Sequence, residues 1–172
     1  MTLPAAPIAF DDLPLLGCAT LCSPEATTAF ARRIAPLLKA GDTLLLAGDL
    51  GSGKTHFARG LIQARLPAPE DVPSPTFTLV QTYDAGKVEI WHADLYRLTD
   101  PQDVWELGLD AAFGAAICLI EWPDRLGHDL PPGALWLTFA ADPDADDIRH
   151  VTLRGNAALP LATLLAPMMA SR

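Results

Sequence analysis

Positive charge is scarce in this sequence. Twelve lysines and arginines stand against 21 aspartates and glutamates, a formal net charge of −9. Affinity for a nucleic-acid backbone comes largely from Lys and Arg displacing condensed counterions, so this chain is a poor unaided grip on such a polyanion. Cysteine is also sparse: Cys18, Cys22 and Cys118. An odd count without a dense framework fits a reducing compartment and not a disulfide scaffold. Cys18 and Cys22 have no second Cys/His pair at ligand spacing, which favours ordinary thiols over a metal site. No apolar run approaches the ~18 residues that a membrane span requires. The start lacks the basic residues and long apolar stretch of a signal peptide. Together these features point to a cytoplasmic protein with no membrane contact.

Half of the 172 residues are hydrophobic and 19% are charged, the profile of a folded chain with a normal core. Residues 1–22 are rich in Pro and Ala, lack a clear period, and read as a lead-in with room for one edge strand. Residues 23–172 read as a single domain. Ser23 supplies an N-cap, Pro24 the first helical position and Glu25 an acid in the first turn, so a helix is expected over 24–39. The run 44–47 is short and continuously apolar, as a strand buried on both faces is. A helix follows over about 55–64. Residues 77–83 and 88–91 alternate around an Asp-Ala-Gly turn and read as paired strands. A helix over about 101–113 precedes a second buried strand at 117–120. Residues 135–139 and 148–153 read as an antiparallel pair joined by the acidic loop 142–147, and a short helix over 159–169 follows. Buried strands alternating with helices predict an α/β protein with a largely parallel sheet.

Between the first buried strand and its helix lie Gly48, Asp49, Leu50, Gly51, Ser52, Gly53, Lys54 and Thr55. This is the phosphate-loop pattern of Gly, four residues, Gly, Lys and then Ser or Thr. Glycines let backbone N–H groups approach phosphate oxygens, and the helix start adds its positive end. Lys54 suits the charge of the β- and γ-phosphates, and the Thr55 hydroxyl suits Mg²⁺. Guanine recognition usually takes an Asn-Lys-x-Asp element, but the single asparagine, Asn156, precedes Ala157. The nucleotide is therefore expected to be ATP.

Magnesium also calls for carboxylates at the end of a neighbouring apolar strand. Glu121, directly after 117–120, and Asp94, in the segment 91–98, both qualify. Thr76 and Thr78, in a proline-pinned stretch, are candidates to sense a γ-phosphate through the metal.

Four segments stand in order: the loop 48–55, Ser74-Pro-Thr-Phe-Thr-Leu-Val80, His92-Ala-Asp-Leu-Tyr-Arg-Leu98 and Ile120-Glu-Trp-Pro123. Together they resemble the bacterial TsaE family, also called YjeE, from about Ser23 to at least residue 140. Phe77 stands where many members have tyrosine, and Ser52 where alanine is common. The resemblance implies a three-layer P-loop NTPase fold, with a mostly parallel central sheet and antiparallel edge strands. It also implies an ATPase that assists synthesis of N6-threonylcarbamoyladenosine (t6A) in tRNA by docking on a TsaB–TsaD pair, without transferring the group itself and touching tRNA only through that complex. Lys54 and the loop backbone would hold phosphates, and Thr55 and Glu121 the Mg²⁺. Asp94 would position water or the metal shell, Trp122 would shape the nucleotide site, and the helix start at Ser23 to Glu25 would lie near the adenine. The acidic charge agrees with action through a protein partner. The four tryptophans (Trp91, Trp105, Trp122 and Trp136) read first as core, with partner-facing anchors as the other use.

A small-molecule or nucleoside kinase is the rival reading, with Asp94 as general base and Arg97 or Arg125 as phosphate clamp. The dense arginine cluster typical of a kinase lid is missing. A nucleotide-dependent switch with only slow hydrolysis is a second rival.

Overall fold

Two strands, β2 (Thr43–Ala47) and β5 (Ile117–Glu121), lie side by side near the middle of one seven-stranded sheet. The structure, a computed structural model, describes residues 10–128 and 130–170. The first nine residues of the lead-in lie outside that range. The other strands are β1 (Leu15–Leu21), β3 (Val80–Asp84), β4 (Glu89–Asp94), β6 (Leu135–Ala141) and β7 (Arg149–Arg154), in the order β1-β7-β6-β2-β5-β4-β3. The four inner strands β6, β2, β5 and β4 run parallel, while β1, β7 and β3 pair antiparallel at the two sides. This is the expected α/β architecture with a parallel centre and antiparallel edges.

The continuous apolar strands are explained by two cores, one on each face of the sheet. Successive strand side chains point to opposite faces. Leu44 and Leu46 therefore join one cluster with Phe57, Ile62 and Leu119, whereas Leu45 joins the other with Cys118, Ile120 and Trp136. Helices α1 (Pro24–Ile34), α2 (Lys54–Arg65) and α5 (Pro160–Leu165) contribute to the first core. Helices α3 (Pro101–Glu106) and α4 (Leu109–Ala115) contribute to the second. Phe57 sits between Phe30 and Phe139, with ring centroids 5.9 and 5.3 Å away. Burying a side chain of that size stabilises the fold by about 1.5–3 kcal/mol. Trp136 is buried while Trp105 is half exposed.

Several elements differ from the expected spans, each for a local reason. The first helix stops at Ile34 and tightens into a 3₁₀ turn at Ala35–Leu37. Pro36 has no N–H for the carbonyl four residues back and its ring crowds it. The helix expected over 101–113 is broken in two at Gly108, whose φ is +76°. The strand expected from residue 77 starts at Val80, because a turn precedes it: the Leu79 N–H donates to the Pro75 carbonyl at 2.7 Å, and Leu79 has a φ of +65°. The last helix ends at Leu165 and continues as a 3₁₀ segment, Ala166–Ala170. The antiparallel pair β6–β7 and the edge strand β1 match expectation.

Candidate functional site

Where β2 ends, three glycines with positive φ carry the chain over the sheet edge: Gly48 (+131°), Gly51 (+76°) and Gly53 (+106°). At Gly48 a methyl group would strike the Phe139 carbonyl oxygen and stand 2.8 Å from the Ser52 hydroxyl, so the loop closes there only without a side chain. Gly53 caps α2 with no side-chain partner, which leaves the helix's first N–H groups without a side-chain acceptor. Lys54 is buried at 4% exposure. Its ammonium donates to the carbonyls of Gly48 and Asp49, both at 2.7 Å, and lies 4.4 Å from the Trp122 ring centroid. Burial pushes its pKa below the usual lysine value, against the opposing pull of Glu121, Asp94, Asp49 and Asp124. A desolvated cation held by its own loop's carbonyls is well placed to exchange them for an anion's oxygens.

A second set of groups meets the loop from β4 and β5. Asp94 and Glu121 are direct partners in the β4–β5 ladder, so both side chains stand on the same face. The Thr55 hydroxyl donates to Glu121 Oε2 at 2.8 Å. The other oxygen, Oε1, lies 2.8 Å from Nε2 of His92, which is fully buried. Asp94 Oδ2 accepts from the Thr76 hydroxyl at 3.1 Å, and Oδ1 accepts from the Tyr96 N–H at 3.0 Å. Ser74 and Thr76 share a 2.7 Å hydroxyl contact. Trp122, in the left-handed region with φ +58°, packs its ring 4.8 Å from that of Tyr96. Leu50, Gly51, Gly53, Lys54, Thr55, His56, Thr76, Asp94, Glu121 and Trp122 line one cleft of about 280 Å³. The structure thus brings the loop, Thr76, both acids and Trp122 together.

The donor set suits a hard divalent cation. Thr55, Glu121 and Asp94 offer only oxygen, which favours Mg²⁺ over soft metals. Among the described residues no group of three or more His, Cys, Asp or Glu is arranged to hold a metal. A partial oxygen shell of the kind Thr55, Glu121 and Asp94 offer is compatible with Mg²⁺, which keeps several waters when bound.

An adjoining cleft of about 210 Å³ shares Gly51, Gly53 and His56 with the first and adds Pro24, Thr27, Asp147 and Arg149. Ser23 caps α1 by accepting from the Ala26 N–H at 3.1 Å. The Glu25 carboxyl is held below its usual pKa by hydrogen bonds from its backbone and from Ser23. Ser23 and Glu25 do not line this cleft; Pro24 between them does. His56 ties α1 to α2, with Nε2 3.0 Å from the Thr28 hydroxyl and 2.9 Å from the Pro24 carbonyl. The Arg149 guanidinium reaches the Gly51 carbonyl at 3.5 Å. The arginines of the kinase reading lie elsewhere: Arg97 stacks 5.6 Å over Phe77, and Arg125 is 3.7 Å from Asp124. A larger cavity, about 620 Å³ and lined partly by Trp105, Phe113 and Gly41, sits near the opposite end of β2 from the loop.

Sequence reasoning met His92 only within the segment 92–98 and gave it no role, and it passed over His56 and Arg149. A signal existed for His92 alone: it precedes Asp94 by two residues on a strand, which puts both on one face.

Comparison with known proteins bears on this geometry. The family described as "Threonylcarbamoyl adenosine biosynthesis protein TsaE" matches residues 21–151. A relative from Rickettsia conorii, a tRNA threonylcarbamoyladenosine biosynthesis protein TsaE, is 44% identical over 113 residues, 66% of this chain and 65% of that protein. The chain thus spans slightly less than two thirds of that relative's length. The Bacillus subtilis protein of the same name is 39% identical over 131 residues, 76% of this chain and 80% of the relative. The crystal structure of Bacillus subtilis YdiB superposes with a TM-score of 0.72 at 29% identity, covering 92% of this chain and 98% of that one.

Proposed function

The chain belongs to the TsaE family of threonylcarbamoyladenosine biosynthesis, and from that premise we propose that it is an ATP-hydrolysing accessory protein of tRNA t6A modification, working in the cytoplasm on a TsaB–TsaD pair. The observation that carries the enzymatic part is the hydrogen bond of Thr55 to Glu121 at the mouth of the glycine loop. It joins a phosphate cradle to an acid at the end of the adjacent strand, the two halves that a nucleotide–metal site needs. The ATPase unit is the domain read over 23–172 together with the edge strand β1, which completes its sheet.

Backbone N–H groups of residues 48–55 hold phosphate oxygens, and Lys54 leaves the Gly48 and Asp49 carbonyls to neutralise the β- and γ-phosphates. Thr55 and Glu121 would hold Mg²⁺, which would supply positive charge to the phosphate oxygens. Asp94 would orient the attacking water or a water of the metal's outer shell, and Thr76, bonded to it, would follow the γ-phosphate. Trp122 closes the phosphate side of the cleft over Lys54. The adenine lies toward the start of α1, near Ser23, Pro24 and Glu25. The net charge of −9 supports contact with tRNA through the partner complex only.

Steady-state ATP hydrolysis, measured alone and with a TsaB–TsaD pair, tests the proposal. Slow hydrolysis that rises with the pair supports it. Hydrolysis indifferent to the pair defeats the partner assignment, and ATP consumption only with an added small alcohol or nucleoside defeats the ATPase assignment.

A further inference from the structure

We infer that His92 is a positioning residue that fixes the Glu121 carboxylate for the metal; this rests on Glu121 being a magnesium ligand, as proposed above. His92 lies on β4 and has no exposed surface. Its ladder partner is Leu119, while Asp94 pairs with Glu121, so all four side chains share the face that looks toward α2. His92 reaches diagonally along that face to Glu121 Oε1 at 2.8 Å. Glu121 is itself 2% exposed, and its other oxygen accepts from Thr55. Each carboxylate oxygen is thus claimed from a different side, one by the loop helix and one by the neighbouring strand.

The chemistry of the ring argues against space-filling alone. Apart from Asp94 and Glu121 the surrounding face is apolar, with Leu44, Leu46, Phe57 and Leu119, and an aliphatic side chain would carry no desolvation cost of its own there. The imidazole's second nitrogen, Nδ1, is buried with no partner among the described residues. A polar ring is therefore kept in the core with one of its two nitrogens unsatisfied, a destabilising arrangement. Among the described residues the ring's one hydrogen bond goes to Glu121, where the carboxylate accepts and Nε2–H donates. A glutamate has three side-chain torsions to lose when it binds a cation. With Oε1 held by His92 that freedom is already restricted, and Oε2 stays toward Thr55. Partners of this kind, which orient a ligand without touching the metal, typically change metal affinity 10–100-fold when removed.

The test uses the full chain and three variants, H92L, H92Q and H92N. Binding of a fluorescent ATP analogue is followed as Mg²⁺ is titrated, and again in EDTA, beside a melting curve for each protein. The glutamine amide nitrogen reaches about as far as Nε2; the asparagine one falls short. For H92L and H92N the Mg²⁺ concentration at half-effect is expected to rise about 10–100-fold. H92Q should recover most of that loss, and all three should keep metal-free binding. An H92L protein with parental Mg²⁺ dependence overturns the inference. So does a loss of metal-free and metal-dependent binding together, in step with the melting temperature, since that marks a merely structural role. Should H92L not fold, H92Q against H92N decides: equal Mg²⁺ dependence in the two overturns the inference. If the parent itself shows no Mg²⁺-dependent binding, the magnesium reading of Glu121 fails first, and this one with it.

Discussion

Thr55 and Glu121 are 66 residues apart in the chain, and the hydroxyl of one donates to the carboxylate of the other at 2.8 Å. Sheet topology produces the meeting. β5 lies parallel to β2 with Glu121 opposite Leu46, so its acid emerges at the edge over which the glycine loop turns back into α2. Replacing Glu121 with Gln keeps volume and an acceptor for Thr55 but removes the charge. The expected result is metal-free nucleotide binding like the parent, with Mg²⁺ dependence weakened at least about tenfold. Titrating Mg²⁺ against a fixed nucleotide concentration reads this directly, and unchanged dependence would remove Glu121 from the metal's shell.

The loop glycines are not equivalent. A methyl at Gly48 meets the Phe139 carbonyl and the Ser52 hydroxyl, whereas a methyl at Gly51 has nothing within 4 Å. Both sit at positive φ, where alanine is strained by roughly 1–2 kcal/mol. Gly51→Ala should therefore cost about that amount, and Gly48→Ala distinctly more, because the loop must also move off β6. Chemical denaturation gives the two stabilities. Nucleotide affinity should fall much further for Gly48→Ala. Equal losses would mean that the loop is not braced on Phe139.

These contrasts show what was legible beforehand. The loop 48–55, the buried strands and the antiparallel pair β6–β7 are written in local patterns, in glycine spacing and in apolar periodicity, so they could be read from the sequence. Glu121 and Asp94 were legible because an acid at the end of an apolar strand stands out. The pairing of His92 with Glu121 was not, since it depends on which strand lies beside β5 and in what register. Arg149 follows the same rule: it reaches Gly51 from a strand 98 residues later, and nothing local marks it. The break at Gly108 was locally marked, but a glycine inside a helical pattern is often tolerated, so pattern alone favoured one helix.

The acidic loop between β6 and β7 carries its own electrostatic tie. His150 Nε2 lies 2.7 Å from Asp142 Oδ2, and that hydrogen bond, aided by the Asp144 N–H, holds the Asp142 carboxyl below its usual 3.8. A carboxyl with a depressed folded-state pKa binds fewer protons folded than unfolded, so it adds stability above 3.8 that disappears as pH falls through the folded value. Asp142→Asn should therefore melt below the parent near neutral pH, and the gap should close in acid below 3.8. Melting curves across that range check the sign. A gap that widens in acid would show that Asp142 is not a stabilising carboxylate.

Cys118 offers a reporter for the strand that carries Glu121. It is fully buried opposite Thr43 at the β2–β5 seam, and burial pushes its thiol up to about 12. Cys18 and Cys22 are exposed. The thiolate is the reactive form, so in mildly alkaline iodoacetamide Cys18 and Cys22 should be alkylated first and Cys118 only when the sheet opens. Since a nucleotide bound at the loop stabilises the folded state by mass action, saturating Mg²⁺-ATP should slow Cys118 labelling further and leave Cys18 unchanged. Peptide mass spectrometry after timed quenching separates the three sites. Cys118 labelling as fast as Cys18 would mean that the β2–β5 seam is open in solution. Slow labelling indifferent to nucleotide would mean that binding at the loop does not stabilise the strand on which the candidate metal acid stands.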